Sequence, residues 1–369
     1  MRGMRDETIS GPLADVRVVE LAAIGPVPFC GMMLADLGAR VVRIDRSMAG
    51  PMDRYAPENR GRTALALDLK SEAGRTRALD LIAAADVVIE GYRPGVMERL
   101  GLGPEAVLAA NPALVYGRMT GWGQDGPYRD VAGHDINYIA VSGALHATGP
   151  AEHPVIPLNL VGDYGGGAMH LVAGVLAALH HARRTGTGQV VDCAMSDAAI
   201  SLMSMIYQKR AEAEWRDSRA VNVIDGGAPF YNVYRCRDGA WIAIGAIEDR
   251  FYRLLRDKLD LRDPLFDRQF DRSAWPALRG RLSEIFARRT RAEWCALLEG
   301  SDVCFAPVLS MDEAAGHPHN VARGAFLERD GRLTTAPVPR LSATPASIRP
   351  GAAVGPADTA DFLKDWAIR

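Results

Sequence analysis

Short apolar runs alternate with longer stretches of helical spacing through the first 120 residues. VRVVEL (Val16–Leu21) has the near-continuous apolar character of a buried strand. Pro26 and Pro28 open a helical stretch that reaches about Leu37. ARVVRID (Ala39–Asp45) reads as a second strand and LALDL (Leu65–Leu69) as a short third. The spacing over Ser71–Ala85 predicts a helix with Ser71 as N-cap. DVVIEGY (Asp86–Tyr92) is a fourth strand, a helix follows to Ala110, and LVYGRMT (Leu114–Thr120) is a fifth. Apolar strands alternating with helices predict a parallel sheet covered on both faces.

A helix over roughly 163–184 comes next, halted by Gly186 and Gly188, then a strand over Gln189–Met195 and a helix-rich stretch from Asp197 to about Trp215. The texture then changes. FYNVYRC and AWIAIGA flank Arg237–Asp238–Gly239, an antiparallel hairpin with an Asp-Gly turn. Two amphipathic helices follow, the second starting at a capping box of Thr290 and Glu293. Beyond about 330 the chain is rich in Pro, Ala, Ser and Gly and predicts an extended strap ending in a short helix at Asp361–Ala367. The expected organisation is a large α/β domain over 11–200, a helical linker over 201–224, a smaller α+β domain over 225–328, and a return segment over 329–369.

Composition narrows the function classes. Of the chain, 48% is hydrophobic and 24% charged, the balance of an ordinary globular protein. A net charge of -2 gives no electrostatic footprint for nucleic acid. The basic residues are overwhelmingly arginine, which suits bidentate phosphate contacts. Cys30, Cys193, Cys236, Cys295 and Cys304 are scattered and form no CxxC, which argues for reduced thiols. The N-terminal stretch lacks an apolar core of signal-peptide length, and the run Leu171–Leu179 is too short to span a membrane, so a cytoplasmic protein is expected. No histidine or cysteine group has metal-ligand spacing, and no metal is expected.

GWGQDG (Gly121–Gly126) matches G-x-G-x-x-G but runs into Pro127, Tyr128 and Arg129 rather than a helix, so it reads as a turn-rich loop at a strand's carboxyl end. After the first strand, Gly25 is followed by Pro26 and Pro28, which remove amide donors that a pyrophosphate cradle would use. Arg46 and Arg93 each sit just past a strand, as solvated surface arginines or as phosphate contacts. Three residues could carry acid–base chemistry. Asp163 precedes Gly165, Gly166 and Gly167 at the head of a predicted helix; it is either an N-cap or an acid beside an oxyanion site. His134, in GHDINY, either caps a helix or serves as a general base. Glu248, in GAIEDRFY, either favours the next helix N-terminus or supports the His134 ring.

With these residues in place the chain resembles the family III CoA-transferase superfamily, and within it the 2-methylacyl-CoA racemase (alpha-methylacyl-CoA racemase) branch. The stretches GPLADVRVVELAAIGPVPFCGMMLADLGARVVRIDR, NRGRTALALDLKS, ADVVIEGYRPGVMERLGLG, GRMTGWGQDGPYRDVAGHDINYIAVSGALHATG, PLNLVGDYGGGAMHLVAG and TGTGQVVDCAM carry the resemblance, in order, from about 11 to 330. It implies a Rossmann-like large domain, a smaller α+β domain, an interlocked homodimer, an acyl-CoA thioester substrate and no added cofactor. It implies that His134 and Asp163 flank the α-carbon as two acid/bases. Glu248 would pair with the histidine across the dimer interface, and Ile24, Arg46 and Arg93 would contact CoA. Amide N–H groups of Asp163, Tyr164 and Gly165 are then expected to stabilise the enolate oxygen. The rival within the family is CoA transfer through an anhydride on Asp163; a rival outside enzyme chemistry is an acyl-CoA binding protein that retains the fold.

Overall fold

The computed structural model describes residues 10–46, 53–355 and 358–367. The chain divides into two compact units: Met1–Ser142, Leu158–Leu202 and Gly324–Arg369 form the first, and Gly143–Pro157 with Met203–Arg323 the second. Residues 143–157 and 203–224 thus group with the segment expected as the small domain.

In the first unit β1 (Arg17–Leu21), α1 (Pro26–Asp36), β2 (Arg40–Asp45), β3 (Arg62–Ala66), α2 (Glu72–Ala83), β4 (Val87–Glu90) and β5 (Val115–Thr120) appear in the expected alternation. Then come α3 (Asp135–Val141), a π-helical turn over Leu160–Ala168, α4 (Met169–Thr185), β6 (Gln189–Ala194) and α5 (Met195–Leu202). Ser71 caps α2 by accepting the Gly74 N–H at 3.0 Å. The third strand covers Arg62–Ala66 rather than Leu65–Leu69, because its register is set by pairing Val41–Asp45 with Arg62–Ala66. Its first residue is an arginine that the apolar pattern passes over, and Arg62 is buried by an ion pair with Glu20 of β1 at 2.8 Å.

Alternate residues of each strand enter opposite cores. Val18, Val41, Val87 and Val115 pack with α1 and α4, whereas Val19, Val42, Val88 and Tyr116 pack with α2 and Trp366. Burying each such aliphatic side chain stabilises the fold by about 1.5–3 kcal/mol.

The second unit carries an antiparallel sheet of β7 (Tyr231–Arg235), β8 (Trp241–Gly245) and β9 (Phe305–Val308). The hairpin turns at Gly239, whose φ of 83° suits glycine. Helices α6 (Asp249–Leu259), α7 (Trp275–Phe286) and α8 (Arg291–Leu298) cover one face with Tyr252, Leu278, Phe286 and Trp294. The sequence predicts two helices here and the structure holds three. Pro276 sits near the start of α7, where a proline is tolerated. The capping box is present: Thr290 Oγ1 accepts from the Glu293 N–H, and Glu293 accepts from the Thr290 N–H at 2.7 Å.

The strap returns to the first unit through a hairpin of β10 (Phe326–Arg329) and β11 (Arg332–Thr335), then β12 (Ala352–Val354) and α9 (Thr359–Ala367). It is more than a strap: β12 adds a parallel edge strand on β3. The Arg349 guanidinium donates to Ala35 O and Ala39 O, and Trp366 Nε1 donates to Leu81 O. These partners lie roughly 300 residues back along the chain, beyond the reach of local periodicity. The completed sheet has the order β12-β3-β2-β1-β4-β5-β6, all parallel, so the order reverses between β1 and β4. Open α/β sheets bind ligands at the carboxyl ends of the strands flanking such a point.

Candidate active site

A cleft of about 810 Å³ opens at that point. Its walls come from the segments after β1 (Ile24–Val27), after β4 (Gly91–Pro94) and at the end of β5 (Met119–Trp122), together with the start of α3 and the π-helical turn. The loop after β1 turns at Gly25 with φ 70°, and α1 begins at once on Pro26. A Cβ on Gly25 would lie 3.4 Å from Asp163 Oδ2, so the chain passes close to this carboxyl group.

The structure brings Ile24, Arg93, His134, Asp163 and Tyr164 to this one cleft. Ile24 is 81% exposed and lines the cleft rather than a core. His134 is the N-cap residue of α3, and its N–H donates to Asn137 Oδ1 at 3.0 Å. Its ring is exposed to the cleft. Asp163 is half-buried in the π-helical turn, and Asn159 donates to its Oδ2 at 3.3 Å. Burial pushes the Asp163 carboxyl above the usual carboxylate range; the Asn159 hydrogen bond opposes this, the Asp135 charge adds to it, and His134 opposes it. A carboxyl group so placed exchanges a proton more readily near neutral pH than an ordinary aspartate.

Two of the amides expected as oxyanion donors make hydrogen bonds within the chain. Gly162 N–H and Asp163 N–H both donate to Oδ2 of buried Asp135, at 2.6 and 2.7 Å. Tyr164 N–H donates to Asn159 O at 3.3 Å. The Asp163 and Tyr164 amides are therefore already engaged, and Gly165 lies further inside the turn, because the helix begins at Leu160 rather than at 163. The glycine triplet serves close packing instead. A Cβ on Gly166 would fall 2.6 Å from Val161 O, and one on Gly167 would fall 2.8 Å from Met195 Cγ. π-helical turns are rare and frequent at functional sites, and no periodicity in the sequence announces one.

Arg46 is exposed directly after β2 and is not among the residues lining the cleft. Glu248 belongs to the second unit, where it is the exposed N-cap residue of α6. Several cleft residues carry no sequence-level signal. Trp122 stacks edge-on against Tyr128 and Tyr138, and Tyr138 donates to Gly133 O at 2.5 Å. Burial and the Asp163 and Asp135 charges push the Tyr138 hydroxyl up to about 12, with Arg93 opposing. Arg129 joins Arg93 on the wall as a second guanidinium. Asp135 had a faint signal: it stands inside GHDINY, where an acid in a first helical turn reads as a complement to the helix dipole.

A ligand cleft at the reversal point of a doubly wound sheet, holding an imidazole, a carboxyl group of raised proton affinity and two guanidinium groups, defines an α/β enzyme site suited to acid–base work on an anionic ligand. The chain belongs to CoA-transferase family III, whose model matches residues 13–357. It is 44% identical to the alpha-methylacyl-CoA racemase of Mus musculus over 336 residues, covering 90% of this chain and 87% of that one. It is 42% identical to the alpha-methylacyl-CoA racemase of Homo sapiens, with the same coverage of 90% and 87%. Among solved structures, Rv3272 from M. tuberculosis matches with a TM-score of 0.80 at 27% identity, over 96% of this chain and 99% of that one.

Proposed function

We propose that the protein interconverts the (R) and (S) forms of 2-methylacyl-CoA thioesters by moving the α-proton between His134 and Asp163. The observation that carries this reading is the presence of both residues on one cleft wall system, with Asp163 held above the usual carboxylate range. The similarity to alpha-methylacyl-CoA racemases supports the substrate class. Arg93 and Arg129 suit the phosphates of CoA.

The chemistry needs only proton transfer. One group takes the α-proton, the C–H electron pair forms the enolate C=C bond, and the carbonyl π pair moves to oxygen. The conjugate acid of the other group then protonates the α-carbon on the opposite face, which inverts the centre. Reversal exchanges the two roles. Each acid–base participation contributes about 10²–10⁴-fold. No metal, flavin or pyridoxal takes part in this scheme.

The reading includes a homodimer in which Glu248 of a second copy supports the His134 ring. Glu248 is exposed and makes no ion pair among the described residues. Exposed apolar side chains also support an association surface: Val233, Trp241 and Val308 on the small sheet, and Val141, Leu160 and Leu202 on the first unit. Light scattering during size-exclusion chromatography reads the dimer directly, and a monomer would remove this part of the reading. The free cysteines suit the reducing cytoplasm.

The family also includes CoA-transferases. In that chemistry Asp163 would attack the acyl carbon and His134 would have no task. The test is deuterium wash-in at the α-carbon in D₂O with no acceptor acid present. Wash-in with loss of optical activity is expected. CoA exchange between acyl groups without wash-in would replace the racemase reading with transfer.

A further inference from the structure

The Asp135 carboxylate ties both ends of the site together. It is 5% exposed, and its Oδ2 accepts the Gly162 and Asp163 amides. It also follows His134 directly, as the first residue of α3. One side chain therefore fixes the backbone at Asp163 relative to the backbone at His134. Residue 162 is confined as well, since a Cβ there would lie 2.8 Å from Asp135 Oδ2. The second carboxylate oxygen, Oδ1, is buried without a hydrogen-bond partner. An unsatisfied buried acceptor is costly, and such groups ask for an explanation beyond fold maintenance.

We propose that Asp135 is a positioning residue: it locks the π-helical turn so that Asp163 presents its carboxyl group to the cleft at a fixed distance from His134. This deepens the racemase reading and rests on it. The groups acting on the Asp163 charge are His134 and Asp135 of the α3 start and the Asn159 amide; Tyr138 of α3 stands in reach of the same carboxyl group, with Arg93 beyond it. α1, α4 and α5 pack on the turn too, and their titratable groups Cys30, Asp36, His170, His180, His181, Arg183, Arg184 and Asp197 are absent from those influences. The Asp135 charge is one of two causes that raise Asp163, after burial.

The test compares Asp135→Ala and Asp135→Asn in the full-length protein. Asparagine keeps an oxygen for the two amides and removes the charge; alanine removes both. In Asp135→Ala, kcat for α-deuterium wash-in from a 2-methylacyl-CoA should fall about 10²-fold, as expected for a displaced reacting group, while KM changes less than about threefold. Amide hydrogen exchange over residues 160–168 should accelerate in the same variant. In Asp135→Asn, kcat should return to within about tenfold of the original. In the direction where Asp163 takes the proton, the acid limb of its kcat profile should move to lower pH, since a negative neighbour is gone. Normal wash-in by Asp135→Ala would overturn the proposal. So would equal losses in both variants with an unmoved acid limb and unchanged amide exchange. If the original protein shows no wash-in but Asp135→Ala still loosens residues 160–168, the racemase reading fails and the positioning of Asp163 stands. If alanine prevents folding, the asparagine acid limb decides alone.

Discussion

Two acids, Asp163 at the carboxyl edge of the large sheet and Glu248 at the corner between β8 and α6, are held in opposite ways. Asp163 is half-buried, bonded by Asn159, anchored at its amide by Asp135, and raised in proton affinity. Glu248 is an exposed N-cap residue with no ion pair among the described residues. The first unit has a pre-organised site, in which burial and fixed hydrogen bonds set the chemistry in advance. The second offers an acid whose role depends on what it meets.

The largest expected effect tests that contrast directly. Asp163→Ala should lower kcat for α-deuterium wash-in by about 10²–10⁴-fold, with acyl-CoA binding by calorimetry retained. Retained turnover would remove Asp163 from the chemistry. A large loss of stability is next. Arg62→Ala leaves Glu20 buried without its ion-pair partner and should cost about 3–5 kcal/mol in urea unfolding. Glu20 is already pushed upward by burial, with Arg62 opposing, so removing the arginine drives it further toward its protonated form. Under the proposed reading Glu248→Gln should be milder, about tenfold in kcat, because the glutamate would support His134 rather than touch substrate. An effect as large as that of Asp163→Ala would break the comparison and make Glu248 a reacting group.

The pH profile sharpens it further. The folded-state affinity of Asp163 for a proton is raised, so its carboxylate form fades earlier as pH falls. In the direction where Asp163 is the base, the acid limb of kcat should lie above the ordinary aspartate value of about 3.9. A limb at or below that value would show that burial does not govern this carboxyl group. The smallest effect belongs to the second unit. Thr290→Ala removes one half of a capping box and should cost about 1 kcal/mol of stability without altering α-deuterium wash-in.

Much of the fold was legible because it follows from periodicity. β1, β2, β4, β5 and β6 fall where near-continuous apolar runs stand, and Ser71 and Thr290 cap the helices expected of them. β3 shifted because Arg62 is a charged residue made tolerable by Glu20, a partner 42 positions away. α7 was missed as a separate helix, and β9 and β12 were missed because each is short and, unlike the equally short but wholly buried β4, only partly buried, so no apolar run marks it. At the cleft, three of the expected residue types were visible in the sequence: an imidazole, an acid beside glycines, and one arginine after a strand, Arg93, whereas Arg46 does not line it. The hydrogen bond from the Asp163 amide, one of the donors expected for the enolate oxygen, to Asp135 was not legible, because that contact spans 28 residues.

By itself, the sequence determined the alternation that makes a parallel sheet, the change to an antiparallel hairpin, the local caps, and which side chains are able to move a proton. Each of these follows from interactions within a few residues or from the period of one element. Only the tertiary structure decided which amides remain free, how far Asp163 is removed from water, and that Ile24, Arg93, His134 and Asp163 share one cleft. Those properties belong to surfaces brought together across the fold, where desolvation and a single buried carboxylate outweigh local preference.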